Sequence, residues 1–247
     1  CFAYYRKLYM TILDGAIFIA DAHENNKRRE FLKLIKSFNN GILPAPPQIF
    51  LVGDIFDYLS CTSYSQIVYK EWIDELNLLA QKTQIYYFEG NHDFNLSSIF
   101  NQINIYPLSS QPVIFDLNNK KVAIAHGDIY LGFFTQTSLK MLRNSTFLKI
   151  MNFVDWIFKF KITKKILSSQ ENKKLSYKIS NFKELIAKKI DNYRSDMVIE
   201  GHYHQGVKFQ INTKDYINLP CFASERSYFI VKYGTEIKFQ LTRSPNV

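Results

Sequence analysis

Short apolar runs recur along the first half of the chain, and each of them ends at a polar block. Residues 16–20, 48–52 and 83–88 are too short for helices and rich in β-branched and aromatic side chains, which predicts buried strands. Between them, residues 24–38 and 65–81 carry apolar side chains at helical spacing, which predicts amphipathic helices. The alternation predicts an α/β fold with parallel strands and helices on the faces of the sheet.

The later part of the chain has a different pattern. Residues 113–116 and 121–125 flank Asn118-Asn119, a sequence typical of a β-hairpin turn. Residues 197–200 again have the character of a strand. Residues 206–241 alternate polar and apolar positions, which predicts a closing antiparallel set of strands.

An inserted segment separates these two strand-rich parts. Residues 130–195 have a helical pattern and contain neither proline nor any glycine after Gly132. We therefore expect a main domain formed by residues 10–129 and 196–247, with residues 130–195 as a helical cap. Met10 would make a natural start, so residues 1–9 are interpreted as an upstream leader.

Polar blocks of one kind contain all five histidines of the chain. In parallel sheets the strands' carboxyl ends gather at one edge, where ligands bind. We therefore expect the polar blocks to meet there. The blocks are Asp21-Ala22-His23, Gly53-Asp54, Gly90-Asn91-His92-Asp93, His126-Gly127-Asp128 and Gly201-His202-Tyr203-His204.

These blocks supply more metal ligands than one ion can use. Two carboxylates, one amide and four imidazoles form a mixed oxygen and nitrogen set, which suits Mn²⁺, Fe²⁺ or Zn²⁺. Two ions that share Asp54 as a bridge would use all of them. The candidate ligands are Asp21, His23, Asp54, Asn91, His126, His202 and His204.

Charge is concentrated in the insertion. The whole chain has a formal charge of +9, whereas residues 136–194 contain 14 Lys and Arg against four acids. An acidic partner such as a phosphate, a nucleic acid or an anionic membrane is therefore expected at the insertion. The three cysteines are widely spaced, which argues against a disulfide framework and for a reducing compartment.

The order of the blocks resembles the calcineurin-like metallophosphoesterases. That resemblance implies a four-layer αββα sandwich with an inserted helical cap. It implies that Asp21, His23, Asp54 and His204 hold one metal, and that Asp54, Asn91, His126 and His202 hold the other. Mn²⁺ is the expected ion. It also implies that His92 serves the leaving group and that Asp57 orients His92.

The insertion has an unusually wide apolar helical face between residues 147 and 160, followed by lysines. Such a face suits a membrane interface, an acyl-chain groove or packing on the main domain. A basic, aromatic cap in this place resembles the UDP-2,3-diacylglucosamine pyrophosphatases of lipid A synthesis. The best-known branch of these enzymes has Arg where this chain has His92. The substrate contacts we expect are Asn25, Lys140, Arg143, Phe153 and Trp156.

This second resemblance implies cleavage of a lipid-linked nucleotide sugar, UDP-2,3-diacylglucosamine, to UMP and a lipid monophosphate. It also implies a cytoplasmic protein attached peripherally to the inner leaflet of the membrane through the cap. A nuclease or nucleotide phosphodiesterase is the alternative, since a basic cap can follow a nucleic-acid backbone. The non-enzyme alternative is a scaffold that uses the same fold for docking.

Overall fold

Two six-stranded sheets packed face to face form the centre of the protein, as seen in a computed structural model that describes residues 9–130, 137 and 140–245. Both mix parallel and antiparallel pairs. The strands are β1 Met10–Thr11, β2 Ile17–Ile19, β3 Gln48–Val52, β4 Gln84–Phe88, β5 Asn104–Tyr106, β6 Val113–Leu117, β7 Lys120–Ala125, β8 Met197–Glu200, β9 Val207–Ile211, β10 Lys214–Asn218, β11 Ser227–Lys232 and β12 Lys238–Arg243.

The predicted parallel strands lie together in one sheet. Its order is β12-β11-β2-β3-β4-β5, and β2 to β5 run parallel. The other sheet has the order β1-β6-β7-β8-β10-β9. The predicted hairpin joins β6 to β7 through Asn118 and Asn119, both with positive φ (52° and 67°), as a type I′ turn requires.

Helices cover the outer faces of both sheets. The helices α1, α2 and α3 pack on the sheet that contains β2, and α6 packs on the sheet that contains β8. Large apolar and aromatic side chains such as Phe18, Phe50 and Phe115 fill the space between the sheets. The four-layer αββα arrangement is therefore confirmed. The helices are α1 Glu30–Asn39, α2 Ser63–Val68, α3 Lys70–Leu79, α4 Ser145–Ile157, α5 Lys161–Gln170, α6 Phe182–Ala187 and α7 Phe222–Glu225.

Both early helices are shorter than the pattern predicted. The first begins at Glu30 instead of residue 24. The Asn25 side chain accepts hydrogen bonds from the backbone N–H groups of Lys27 and Arg28, which competes with a helical start. The second predicted helix is divided at Tyr69, whose backbone (φ −98°, ψ 16°) leaves the helical region.

The closing strands are divided between the two sheets. The strand β11 pairs antiparallel with β12 and β2, whereas β9 pairs antiparallel with β10 in the other sheet. The strand β10, which the alternation did not separate from its neighbours, runs parallel to β8. The prediction of a single antiparallel set was therefore wrong, because each sheet receives two of these four strands.

The inserted segment contributes α4, α5 and α6, while residues 173–179 have no regular secondary structure. It contacts the main domain through side chains: Phe160 stacks on Tyr64, and Asn152 accepts a hydrogen bond from the Ser63 backbone N–H. Part of the predicted cap, residues 131–136 and 138–139, and leader residues 1–8 lie outside the described residues. Throughout the described part of the chain, the helices are too short or too polar to span a bilayer.

Candidate active site

Five strand ends deliver the polar blocks to one edge of the sandwich. The strands β2, β3 and β4 from one sheet are followed by the blocks of Asp21, Asp54 and Asn91. The strands β7 and β8 from the other sheet are followed by the blocks of His126 and His202. Blocks that are far apart in sequence therefore meet at the edge where these strands of both sheets have their carboxyl ends.

The candidate metal ligands form two groups. Within each group, one potential ligand atom per side chain lies within 4.8 Å of the others. Asp21 Oδ1 is 3.2 Å from His204 Nε2, and Asp54 Oδ2 is 3.4 Å from His126 Nε2. The first group is Asp21, His23 and His204, and the second is Asp54, His126 and His202.

Asn91 joins the second group, because its Oδ1 lies 3.3 Å from His126 Nε2. The ring nitrogen His202 Nδ1 is 3.2 Å from the same His126 atom. Three potential metal-ligand atoms, each from a block at a different strand end, thus lie close together around His126 Nε2. All seven side chains named as metal ligands from the sequence are brought to this edge.

The backbone of these blocks is strained. In ordinary residues φ is negative, yet five of the candidate ligands adopt the left-handed region, with φ between 44° and 64°. Such conformations cost about 1–3 kcal/mol each and persist only where the surroundings impose them. Here they turn the side chains out of the strand direction and toward the shared edge. The five are Asp21, His23, Asp54, His202 and His204.

Two glycines allow the blocks to approach one another closely. A Cβ on Gly53, whose φ is +75°, would lie 2.2 Å from His126 Nδ1. A Cβ on Gly90 would lie 2.3 Å from Asp54 Oδ1. Any side chain at either position would push apart the groups that converge here.

Backbone carbonyls fix the tautomers of two imidazoles. His126 Nδ1–H donates to Val52 O at 2.9 Å, and His204 Nδ1–H donates to Leu175 O at 2.7 Å. In both rings Nε2 is therefore the nitrogen that faces a carboxylate, and an Nδ1–H held by a backbone carbonyl is an arrangement found in metal-binding histidines. Leu175 belongs to the inserted segment, so the insertion helps to orient a candidate ligand.

His23 shows that the donor set fits a bound cation. Both of its ring nitrogens are buried and have no hydrogen-bond partner among the described residues. Its Nδ1 lies 3.5 Å from Asp57 Oδ1, too far for a good hydrogen bond. Buried polar atoms without partners are rare in native proteins, and a metal ion coordinated by His23, Asp21 and His204 would satisfy one of the two ring nitrogens.

The electrostatics also favour cations. Burial lowers the pKa of His23, and it lowers that of His202 to about 4, so both imidazoles keep free lone pairs. Burial opposes charge on Asp54 as well, but His126 and other nearby imidazoles outweigh it and hold the Asp54 pKa well below its usual range. Burial disfavours the charged form of His126, yet Asp54 raises its pKa to about 10. The carboxylates thus require positive partners.

His92 lies beside the second group. Its backbone N–H donates to Asp54 Oδ1 at 2.8 Å, and its Nδ1–H donates to the Asp57 backbone carbonyl at 2.8 Å. Its Nε2 lies 3.4 Å from Lys173 Nζ. We expected the Asp57 carboxylate to orient this ring, whereas the structure gives that contact to the carbonyl of the same residue.

The Asp57 carboxylate has other partners. Arg28 donates to both of its oxygens, at 2.8 and 2.7 Å, and Asn25 Nδ2 donates to Oδ2 at 2.6 Å. Arg28 also donates to the backbone carbonyls of His23 and Glu171. Asn25 is therefore engaged within the protein on both ends of its amide, and a role in supporting Asp57 replaces the substrate contact expected for it.

Asp93, which the sequence predicts to cap a loop or a helix without a part in the chemistry, is a supporting residue. Its fully buried carboxylate accepts from the backbone N–H groups of Asp54, Ile55 and Gly90, and from the Tyr87 hydroxyl. It therefore ties the second block to the third. The sequence offered one sign, which is that an Asp followed His92 directly at the end of a buried strand.

A cavity of about 350 Å³ opens onto Asn91 and His92 and extends beneath α4 and α5. We call it the first cavity. From the helices, the apolar side chains of Phe147, Leu148, Met151, Ile162 and Ile166 line it together with the polar side chains of Asn152, Asp155, Thr163 and Gln170. Phe153 and Trp156, which we expected to contact the substrate, are not among its lining residues.

Arg143 forms part of the cavity wall, while Lys140 is exposed nearby and does not line the first cavity. Arg143 Nη2 donates to Asp128 Oδ2 at 2.6 Å and to the Gly90 carbonyl at 2.8 Å. Its guanidinium is therefore anchored one residue away from Asn91. Asp128, to which the sequence assigned no chemistry, provides this anchor.

The family model of the calcineurin-like phosphoesterases matches residues 16–206, a span that contains all five histidine and aspartate blocks. The chain belongs to this family. The phosphoesterase is accordingly a metal-dependent phosphoester hydrolase. The two groups of candidate metal ligands lie within the residues that the family model matches.

Curated relatives of this phosphoesterase carry the name UDP-2,3-diacylglucosamine hydrolase. The relative from Wigglesworthia glossinidia brevipalpis is 26% identical over 208 residues, covering 77% of this chain and 79% of its own length. The one from Coxiella burnetii strain RSA 493 is 25% identical over 194 residues, with 76% and 80% covered. Among solved structures, a Thermotoga maritima protein is 13% identical with a TM-score of 0.45, covering 94% of this chain and 99% of its own.

Proposed function

We propose that this phosphoesterase hydrolyses the pyrophosphate bond of UDP-2,3-diacylglucosamine and releases UMP and a lipid monophosphate. The observation that carries the proposal is the first cavity, since large apolar side chains of α4 and α5 line it together with Asn91 and His92. Acyl chains need an apolar space next to the reacting phosphates. The names of the curated relatives support the same substrate.

We assign Asp21, His23, Asp54 and His204 to one divalent ion, and Asp54, Asn91, His126 and His202 to the other. Mn²⁺ is our first choice for both, since it accepts carboxylate, amide and imidazole ligands. Bound by these residues, two such ions would hold a phosphate and would lower the pKa of the attacking water. Val52 and Leu175 support this assignment, because their carbonyls orient the rings of His126 and His204.

His92 is our candidate for the group that serves the leaving oxygen. The contact of Nδ1–H with the Asp57 carbonyl leaves Nε2 as the atom that exchanges a proton. Lys173 stands 3.4 Å from Nε2 and supplies positive charge at the same place. This lysine offers the cation that an arginine provides at the His92 position in the best-known branch of these enzymes.

The outer side of α4 supports peripheral attachment to an anionic membrane. Five large apolar side chains on α4 or directly after it expose more than half of their surface, and five exposed lysines, at positions 149, 159, 161, 164 and 165, lie in the same stretch of sequence. Apolar side chains that enter the interface and lysines that meet anionic headgroups are typical of monotopic attachment. We call this surface the outer α4 face, and it consists of Ile150, Phe153, Trp156, Ile157 and Phe158.

A hydrolysis panel with Mn²⁺ tests the proposal. It should contain UDP-2,3-diacylglucosamine, UDP-N-acetylglucosamine as the matched substrate without acyl chains, single-stranded DNA and a cyclic nucleotide. We expect the diacylated nucleotide sugar to have the highest kcat/KM, with UMP as a product. Preferential cleavage of DNA or of the cyclic nucleotide would instead assign the protein to the nuclease or nucleotide phosphodiesterase alternative.

A further inference from the structure

A second cavity of about 420 Å³ lies on the other side of Arg143. It is bordered by the loop after β5 and by the segment that follows His126. Its lining includes Arg143 together with Glu89, Asn95, Ser109, Tyr130 and Lys140. Arg143 is the only lining residue that the first and second cavities share among the described residues.

Arg143 has unused hydrogen-bonding capacity at this boundary. Its side chain is only 9% exposed, and its Nη2 is anchored by Asp128 and Gly90. The Nε and Nη1 atoms are buried without a partner among the residues that the structure describes. Buried N–H donors require acceptors, and a guanidinium is well suited to phosphate oxygens. Because Gly90 precedes Asn91, such a phosphate would lie next to the candidate metal ligands.

The two cavities differ in chemistry. Large apolar side chains of α4 and α5 line the first cavity among polar ones such as Asn152, Asp155 and Thr163. The second cavity has a smaller apolar share, from Pro107, Leu108 and Ile129, and brings a buried carboxyl group (Glu89), an amide (Asn95), a hydroxyl (Ser109) and an amine (Lys140) to one space. Tyr130 adds an aromatic ring to this lining; the ring packs edge-on against Tyr193 with centroids 5.2 Å apart, and the residue is 41% exposed. A space with polar groups and an aromatic ring suits a nucleobase and its sugar better than an acyl chain.

We infer that the second cavity is the nucleoside subsite, and that Arg143 holds the phosphate between it and the first cavity. A substrate with a lipid on one side of a diphosphate and a nucleoside on the other would then place its unlike halves in the two unlike cavities. The inference rests on the proposed function, and it adds which part of the protein recognises the nucleotide half.

The test is inhibition of Mn²⁺-dependent bis(p-nitrophenyl) phosphate hydrolysis by UMP and by inorganic phosphate. The variant Ser109→Trp places a large ring at the wall of the second cavity. Ser109 is exposed, so the fold tolerates the change. We expect the inhibition constant of UMP to rise at least about tenfold relative to that of phosphate in the same variant. The neighbouring exposed residue Ser110 does not line the cavity, and Ser110→Trp should keep the wild-type ratio.

An unchanged ratio in Ser109→Trp would overturn the inference, as would an equal change in Ser110→Trp. Failure of the proposed function looks different. If the wild type does not cleave UDP-2,3-diacylglucosamine but Ser109→Trp selectively weakens inhibition by UMP, the inferred nucleoside subsite stands and only the lipid substrate is wrong. If the wild type cleaves the lipid substrate and Ser109→Trp has no effect on inhibition by UMP, the nucleoside subsite is wrong and the proposed function stands.

Discussion

Single residues at the strand ends supply the candidate metal ligands, and Asp54 is the one that we propose as the bridge between two ions. It faces His126 at 3.4 Å and accepts from the His92 backbone N–H. We expect Asp54→Ala to lower metal content and to reduce hydrolysis to background, because each ion loses a ligand. Metal analysis of purified protein together with kcat on a phosphodiester measures this. The exposed Asp74→Ala on α3 is the control, and near-normal turnover in Asp54→Ala would contradict a shared bridge.

His92→Ala separates a proton-transfer role from a role in metal binding. We expect unchanged metal content and a kcat lower by about 10²–10⁴, the usual contribution of a positioned acid. The loss should be larger for a phenyl than for a p-nitrophenyl phosphodiester, because the better leaving group needs less protonation. Equal losses on both substrates would show that His92 stabilises charge without donating a proton, and loss of metal would make it structural.

The sequence located these residues because the blocks are local. An apolar run followed by Gly and then Asp or His is visible without knowing any contact, and the sheet edge brings such blocks together. Arg28 and Lys173 could not be found in this way. Each acts on a residue distant in sequence or through a backbone carbonyl, as Arg28 does on Asp57 and on Glu171. Side-chain identity at one position does not reveal such pairings.

Elements were predicted well where periodicity alone decides them. The strand β3 has the bounds expected, Gln48–Val52, and the hairpin from β6 to β7 turns at the two asparagines. The errors occur where side chains override the pattern. Asn25 delays α1 by binding the backbone, and the closing strands divide between sheets because strand pairing is a long-range choice that alternation does not encode.

Lys189, in the short segment after α6, is an element-scale contact that no pattern revealed. Its Nζ donates to the Gly127 carbonyl at 3.1 Å and to Glu200 Oε1 at 2.8 Å. It thus joins the insertion to the ends of β7 and β8, next to His126 and His202. Burial disfavours its charge, but Glu200 outweighs burial and raises the Lys189 pKa.

We expect Lys189→Met to lower the free energy of unfolding by about 3–5 kcal/mol, because it leaves the Glu200 carboxylate buried without a cation. Urea denaturation of the metal-free protein measures this. The double variant Lys189→Met/Glu200→Gln should recover most of the loss, since it buries no unpaired charge. The exposed Lys188→Met should change stability by no more than about 0.5 kcal/mol. A double variant as unstable as the single one would contradict the ion-pair explanation.

At the scale of the whole molecule, the four-layer sandwich followed from the resemblance to a known family, and the position of the inserted helices did not. The sequence showed that the apolar face of residues 147–160 is too wide for one contact. It could not show how that face divides. In the structure Leu148 is buried and Phe147 and Met151 line the first cavity, while Phe153 and Trp156 are 61% and 62% exposed. One helix therefore serves two environments.

This division makes the proposed membrane attachment separable from catalysis. We expect the double variant Phe153→Ser/Trp156→Ser to bind vesicles containing phosphatidylglycerol at least about tenfold more weakly than the wild type, since full burial of one such side chain is worth about 1.5–3 kcal/mol. Co-sedimentation measures the partition. Binding by the wild type should also weaken as salt is raised, because the lysines around the outer α4 face meet anionic headgroups.

The matched control removes an equally exposed apolar side chain from another surface. Ile42 is 63% exposed in the loop after α1, and Ile42→Ser should leave vesicle binding unchanged. Hydrolysis of a small water-soluble phosphodiester should be the same in all three proteins, because neither Phe153 nor Trp156 lines the first cavity. Vesicle binding that survives the double variant, or that falls equally in Ile42→Ser, would show that the outer α4 face is not the membrane contact. A loss of soluble hydrolysis in the double variant would show that α4 cannot be changed on one side without disturbing the site on the other.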